Sequence, residues 1–559
     1  MTPLPQVLLQ ATSRPTAWKA CQFKRDGKWI ALDWPEYFDK IARVATHLLE
    51  LGVKRGDRVA IFSETRLEWA LSDLAILSIG AITVPIYANG TAEELQHILN
   101  DSGAKILIMD GKNQTKKWEA IQSSIPTVQH ILVMDDGNSF AQALKTTPKI
   151  DKIQSLAESI EIDDEATLVY TSGTSGLPKG VILTHRQIIS EISDVQCVFN
   201  VDHRDSTLCF LPFAHVLGRV EMWLSVLAGY TLCYAESIER IKNNLVEVKP
   251  TAMIAVPRIF EKIHAGIESQ LSQQKFLRAV LDRMDRVNEP CTNWLKGKLL
   301  SSKLKAAFGG RLRFAISGGA PLDREIGEFF RAAGIHVYEG YGLTETTAAI
   351  TVNTPDQHRF GTAGKPLPDV KIKIADDGEI LVKSQKVMKG YYKAKDDPFI
   401  DGFFPTGDIG HLENGFLVIT DRKKDLIKTS GGKYVAPQKL ENALKRNPVI
   451  SNVLVHGDQK KFIVGLITLD EGEIKRWAKS NKINFDSYRD LSQSADVRNY
   501  ICKVVSTINS ELASYESIKK FTILDHDFTV ADGELTPSLK VKRKFCDQKY
   551  KTKIEELYH

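Results

Sequence analysis

Ten consecutive positions, Thr171-Ser172-Gly173-Thr174-Ser175-Gly176-Leu177-Pro178-Lys179-Gly180, carry three glycines, four hydroxyl residues and one ammonium. A loop of this make-up can turn backbone N–H groups, hydroxyls and a cation onto phosphate oxygens. The run Thr167 to Tyr170 just before it reads as the strand that would hold it. It is not a Walker A loop, which needs glycine before the lysine and a hydroxyl residue after it, where this chain has Pro178 and Gly180.

Two further segments fit the same ligand. In Tyr338-Glu339-Gly340-Tyr341-Gly342-Leu343-Thr344-Glu345-Thr346 a ring freed by flanking glycines can stack on a base. Thr344 can donate to phosphate, and Glu345 offers a hard oxygen to magnesium. Taken alone, Tyr341 reads equally as a core aromatic and Glu345 as a capping acid. Phe404-Pro405-Thr406-Gly407-Asp408, followed by Asp421-Arg422-Lys423-Lys424-Asp425, supplies a carboxylate suited to paired ribose hydroxyls and an arginine able to reach the same nucleotide. A turn aspartate and a charged linker are the plain alternatives, and the three segments together outweigh them.

The elements that must position these residues follow an alternating pattern. Short β-branched runs at Arg58–Phe62, Lys105–Met109, Ile131–Met134, Thr207–Leu211, Met253–Val256 and Arg313–Ile316 alternate with amphipathic stretches, which predicts α/β layers. A helix is expected from Pro321, with Leu322, Ile326, Phe329, Phe330 and Ala333 on one face and Gly334 closing it. From about Val370 the texture turns to strands, with Asp377-Gly378 and Asn414-Gly415 as hairpin signals. Beyond Asp421, strands at Val453–Val455 and Phe462–Thr468 mix with helices at Glu471–Ser480 and Val497–Ala513. The expected fold is α/β: a layered N-terminal body over 1–420 with a β-rich subdomain at about 365–420, and a small, mobile α+β domain over 421–559.

A chain of 559 residues exceeds what a single core organises, in keeping with that division. Basic and acidic residues number 74 and 69, a net charge of +5 that is too small to argue for nucleic acid as a partner. The seven cysteines are scattered without a Cys-x-x-Cys pair, so neither a disulfide framework nor a zinc site is expected, and a reducing cytoplasm fits. The most apolar segment, Leu74 to Tyr87, is broken by Gly80 and Pro85, and neither a span nor a secretion signal is expected. Basic clusters at Arg422–Lys424 and from Lys540 to Lys553 suit either solvent or phosphate, coenzyme A or anionic lipid.

With these motifs in combination, most of the chain resembles the adenylate-forming superfamily of acyl-CoA synthetases, luciferases and peptide-synthetase adenylation domains. The resemblance runs from the glycine-rich loop to Leu535-Thr536-Pro537-Ser538-Leu539-Lys540. It implies that Thr171, Ser172, Gly173, Thr174, Ser175, Gly176 and Lys179 hold the phosphates of ATP. Ser317-Gly318-Gly319-Ala320-Pro321, with Glu339, Gly340, Tyr341 and Gly342, would line the adenine pocket. Thr344 would touch phosphate, Thr174 and Glu345 would serve Mg2+, Asp408 and Arg422 would bind ribose, and Lys540 would bridge the adenylate's oxygens.

Leu211-Pro212-Phe213-Ala214-His215-Val216-Leu217-Gly218-Arg219, Val256 to Lys262 and Leu535 to Lys544 look most like the long-chain fatty acyl-CoA synthetases. The implied reaction activates a fatty acid with ATP and passes the acyl group to coenzyme A. Lys424 then falls at the hinge, Gly431, Gly432 and Lys433 at the coenzyme A tunnel, and His215 and Arg219 at the acyl pocket. Some synthetases carry an aromatic gate near Arg219's position, which this chain lacks. A carrier protein as acyl acceptor, or an inactive lipid-binding relative, are the rival expectations. Peripheral contact with the inner face of a membrane, oligomeric state and acyl length are left open by the residues.

Overall fold

The computed structural model describes residues 1–135, 137, 139–171, 177–272 and 301–559. Two large sheets form the body. One has the strand order Lys365–Pro366, Thr351–Val352, Val337–Tyr341, Phe314–Ser317, Ala252–Ala255, Ser206–Cys209, Thr231–Tyr234, Lys19–Arg25 and Lys28–Asp33. The other runs Gly390–Tyr391, Lys179–Thr184, Glu165–Thr171, Ile82–Ile86, Arg58–Phe62, Ile106–Met109 and His130–Val133. Their central strands are parallel and almost wholly apolar, as strands covered by helices on both faces must be.

The helices between the sheets explain the alternating texture. His185–Phe199 and Val216–Ala228 pack together and bury nearly every residue of the second. Thr184 starts the first with a reciprocal capping box to Gln187, and His215 starts the second, its Nδ1 accepting from Leu217 N at 3.1 Å. A continuous core extends from Leu4 to Leu417 and includes both layers.

The β-rich part is a meander of Lys371–Ile374, Glu379–Lys383, Phe404–Glu413 and Phe416–Arg422. Both hairpin signals fall at its turns, and at the second Asn414 and Gly415 take φ of 53° and 80°, the left-handed pair that a two-residue turn requires. The last strand continues to Arg422, two positions past the expected division at 420. A separate core begins at Ile427, around the sheet Ile450–His456, Ile463–Leu469 and Ile518–Ile523, and Leu524, Cys546 and Ile554 pack on its other face.

Two helices differ from expectation. The one expected from Pro321 spans Arg324–Ala332, because the Asp323 carboxylate caps it by accepting from Glu325 N at 2.8 Å. Pro321 stays in the preceding loop. The helix expected to reach Ala513 ends at Asn509, whose side chain turns to the backbone of Ile518 at 2.8 and 2.9 Å. The hairpin Lys19–Arg25/Lys28–Asp33 was not anticipated, although Asp26-Gly27 at its tip is a signal of the same kind as the other two.

Candidate functional site

A cleft of about 3030 Å³ lies between the body and the small domain, and residues of both line it. From the body come Thr171, Lys179, His215, Gly318, Gly319, Ala320, the whole run Glu339 to Glu345, and Asp408. Arg422 and Lys424 line it at the junction, and Lys540 enters from the small domain. Thr171 and Lys540, 369 positions apart in the chain, thus share one space.

The ends of parallel strands build this wall. Phe314–Ser317 and Val337–Tyr341 pair side by side and deliver Gly318 and Tyr341 to the same edge. Gly319 takes φ +80°, and a Cβ on Gly342 would lie 1.4 Å from Ala348 O, so both positions require glycine. Burial pushes the Glu339 carboxyl up to about 8, and its Oε1 accepts from Leu322 N at 3.2 Å, tying the Gly318–Pro321 loop to the next strand.

Asp408 is the polar centre of the opposite wall. Its Oδ2 accepts from Tyr341 Oη at 2.6 Å, its Oδ1 meets Arg422 Nε at 3.0 Å, and its own N–H donates to Thr406 Oγ1 at 3.1 Å. The hairpin Phe404–Glu413/Phe416–Arg422 places Asp408 directly opposite Arg422. Nearby, Glu345 Oε1 accepts from Tyr391 Oη at 2.9 Å, and among the described residues none donates to Oε2. Lys179 Nζ lies 5.5 Å from the centre of the same Tyr391 ring.

Lys540 is presented by a tight turn, with Thr536 N donating to Lys540 O at 2.8 Å and Lys540 N to Thr536 Oγ1 at 3.1 Å. Its ammonium is open to water in the cleft yet surrounded by protein. The pKa is lowered by that desolvation first, then by Arg422 and Lys424, with Asp408 and Glu345 opposing. Lys424 is shifted down for the same reasons, burial first and then Arg422. Burial, aided by Lys540, lowers His215 to about 4, so its ring is neutral; with Nδ1 accepting from Leu217 N, the proton sits on Nε2.

The small domain is pinned in this orientation by Arg446 Nε on Asp323 Oδ2 at 2.5 Å, Lys542 Nζ on Glu94 Oε1 at 3.4 Å, Arg258 Nη2 on Asp470 Oδ2 at 3.7 Å, and Asn89 Nδ2 on Pro537 O at 2.8 Å. An apolar arm of the cleft is lined by Val195, Phe199, Val220, Ile254, Ile316 and Val352, and His215 lines the same cleft.

Several expected residues are placed elsewhere. Arg219 does not line the cleft: it is buried, with Nη2 on Asp73 Oδ1 at 2.5 Å, Nη1 on Thr167 Oγ1 at 2.7 Å and its guanidinium over Trp223. The face of its helix that lines the cleft carries Val216, Leu217 and Val220, whereas Arg219 packs against Asp73 and Thr167. Gly431, Gly432 and Lys433 form an exposed turn closed by Thr429 N on Lys433 O at 2.9 Å, outside the cleft. Ser172, Gly173, Thr174, Ser175 and Gly176 lie outside the described residues, between Thr171 and Lys179, which pair across an antiparallel ladder. Tyr391 was not anticipated; Gly390-Tyr391-Tyr392, a ring released by glycine, repeats the signal of Gly340-Tyr341.

The donor set suits magnesium and a nucleoside triphosphate. Among the described residues no cluster of three or more His, Cys, Asp or Glu could hold a metal unaided. One free carboxylate oxygen beside a phosphate site is what Mg2+, which keeps water and substrate phosphate as ligands, requires. Lys179, Lys424 and Lys540 face the cleft with no ion pair among the described residues, a surplus of cations that fits a polyphosphate.

A family described as AMP-binding enzyme matches residues 9–392, and one described as AMP-binding enzyme C-terminal domain matches 424–559. The chain belongs to this AMP-binding, adenylate-forming family. It is 38% identical to a long-chain-fatty-acid–CoA ligase of Mycobacterium bovis, over 96% of this chain and 93% of that protein. It is 31% identical to fatty acyl-CoA synthetase A of Dictyostelium discoideum, over 95% and 87%. In structure it matches O-succinylbenzoate coenzyme A synthetase of Bacillus subtilis in complex with AMP, at 25% identity and TM-score 0.71, over 97% of this chain and 98% of that one. Among the described residues no helix is long and apolar enough to cross a membrane.

Proposed function

We propose that this protein joins a long-chain fatty acid to coenzyme A by way of an acyl-adenylate. The carrying observation is that Lys540 of the small domain shares one cleft with Lys179, Tyr341, Glu345 and Asp408 of the body. The ligase relatives support the acceptor, and the apolar arm lined by Val195, Phe199 and Val220 supports an aliphatic acid.

In the first step a carboxylate oxygen forms a bond to the α-phosphorus of ATP as the bond to the bridging oxygen of pyrophosphate breaks. Asp408, with Tyr341 and Arg422 holding its oxygens, would accept from the ribose hydroxyls and fix the nucleotide's register. Lys179 and Thr344 would steady the departing phosphates. Lys540 would stabilise charge building between carboxylate and phosphate, where a preformed cation is worth most. Magnesium, held by Glu345 and the phosphates, would neutralise part of that charge. The Nε2 proton of neutral His215 would orient the acyl carboxylate at the mouth of the apolar arm.

In the second step the thiol sulfur of coenzyme A bonds to the acyl carbonyl carbon and AMP leaves. Lys424 lies two residues beyond Arg422, where the last strand of the body ends, a position suited to a hinge. Rotation there would withdraw Lys540 and bring the Gly431-Gly432-Lys433 turn toward the cleft. Purified protein with ATP, magnesium, coenzyme A and acids from short to long chain should yield AMP and acyl-CoA with a long-chain maximum. Adenylate without thioester would replace coenzyme A by a carrier protein, and no nucleotide chemistry with any acid would overturn the proposal.

A further inference from the structure

The loop that carries Glu345 is held in an uncommon backbone shape. Thr347 and Ala348 take φ of 58° and 93°, in the left-handed region where residues with a Cβ are disfavoured. These two residues sit between Glu345 and Ala349, so their conformation decides where the Glu345 carboxylate points. Within the loop Thr347 N donates to Thr344 O and Ala348 N to Leu343 O, each at 3.1 Å, and the closed turn is then held from outside.

Three contacts supply that hold. Thr347 Oγ1 donates to Lys386 O at 2.7 Å, Met388 N donates to Glu345 O at 2.8 Å, and Ala349 N donates to Glu191 Oε1 at 2.9 Å. The two anchors are themselves joined: Lys386 Nζ lies 3.0 Å from Glu191 Oε2 and 2.7 Å from Asp194 Oδ2, with both Lys386 and Glu191 essentially without exposure, at 0% and 1%. A buried lysine facing two carboxylates is costly to desolvate and contributes little net stability against an apolar replacement. Its placement at the base of one site loop therefore calls for a positional reason.

We propose that the buried Lys386–Glu191 pair is a clamp that fixes the Thr347-Ala348 turn and thereby aims Glu345 at the magnesium-bound phosphates. Glu191 lies on the helix that also carries Val195 and Phe199, one and two turns further on, which line the apolar arm. Lys386 lies in the segment that continues to Tyr391, the other partner of Glu345. The clamp thus locks the metal-facing loop to the wall of the acyl arm and to the β-rich subdomain at once. Lys386 and Glu191 are positioning residues, acting on Glu345 through their contacts with Thr347 and Ala349.

The inference rests on the adenylate-forming reading of the cleft, and the test separates the two. Binding of a non-hydrolysable ATP analogue with magnesium is followed by calorimetry, and amide hydrogen exchange by mass spectrometry across 343–350. In Glu191→Leu/Lys386→Met, which removes the two fully buried charges and leaves Asp194, the partly exposed third member, to water, affinity at limiting magnesium should fall on the order of tenfold and exchange at 347–350 should quicken. Glu191→Gln keeps an acceptor for Ala349 N and should bind nearly as wild type. Ala348→Gly added to the double variant should recover part of the affinity, since glycine adopts that φ without cost. Should the double variant fail to fold, Thr347→Val removes one clamp contact with the same shape and should shift both readouts in the same direction. Unchanged affinity and exchange in the folded double variant, or in Thr347→Val if the double variant does not fold, overturn the clamp. Wild-type protein that binds no magnesium nucleotide overturns the underlying reading instead.

Discussion

The Tyr341 hydroxyl donates to Asp408 Oδ2 at 2.6 Å while Arg422 takes the other oxygen, so one carboxylate links the two walls of the cleft. Asp408→Ala should raise KM for ATP by roughly ten- to a hundredfold, the scale of a lost hydrogen bond to a charged group, with a smaller effect on coenzyme A. Steady-state kinetics with each substrate varied in turn checks this. Equal rises for ATP and coenzyme A would remove Asp408 from the ribose site.

Lys540→Ala should slow adenylation by about a hundredfold or more, the scale for a charge placed, as proposed, where the transition state develops. Thioester formation from supplied acyl-adenylate should be nearly unaffected. Equal loss in both half-reactions would refute the role given to Lys540.

Arg446→Asp places a second carboxylate against Asp323 and should loosen the small domain from the body. The pair is partly exposed, so about 1 kcal/mol, or fivefold in the population of this orientation, is the scale. Small-angle scattering should show a broader distribution of domain positions, and adenylation should slow more than thioester formation. An unchanged scattering profile would show that the other three contacts suffice.

Truncating the apolar arm's aromatic residue, Phe199→Ala, should move the preferred acyl length upward, and Val195→Phe, one helical turn nearer Glu191, should move it down. Competition among acids of graded length reads this directly. Unshifted profiles in both variants would place the chain elsewhere.

Burial pushes the Glu221 carboxyl up to about 8, against a smaller lowering by Thr207. The folded form keeps a proton that the unfolded chain releases near its ordinary value, so this contribution is full below about 4.3 and is lost as pH rises through about 8. Glu221→Gln should flatten the fall in stability between those limits, giving a denaturation midpoint above wild type at pH 8. Parallel pH dependences for the two proteins would contradict the assignment.

Much of the fold was legible wherever the determinant was local. The strand Arg58–Phe62 and the helix Glu471–Ser480 match expectation to the residue, because unbroken apolar runs and caps act within a few positions. Asp377-Gly378 and Asn414-Gly415 turned the chain as read. What the residues did not disclose depends on tertiary packing: that Arg219 would be enclosed with Asp73, that Gly431 would face solvent while Lys540 faces the nucleotide site, and that Lys386 would meet Glu191 across nearly two hundred positions. No local pattern distinguishes a lysine destined for the interior from one on the surface. The motif segments share one outcome: Thr171, Lys179, the run Glu339 to Glu345 and Asp408, each read from a short segment, line a single cleft.

Lys179, Arg422, Lys424 and Lys540 line one cleft, and around Lys540 the cations Arg422 and Lys424 face the acids Asp408 and Glu345. Without a bound anion this arrangement repels itself, and any polyphosphate that enters relieves the strain before chemistry begins. Pyrophosphate alone should therefore raise the melting temperature and compete with ATP, and added salt should raise it too while weakening nucleotide capture. In the proposed reaction pyrophosphate would be held by the same charges that drew the substrate in, so the proposed opening of the small domain, which would carry Lys540 out of the group, would also release pyrophosphate.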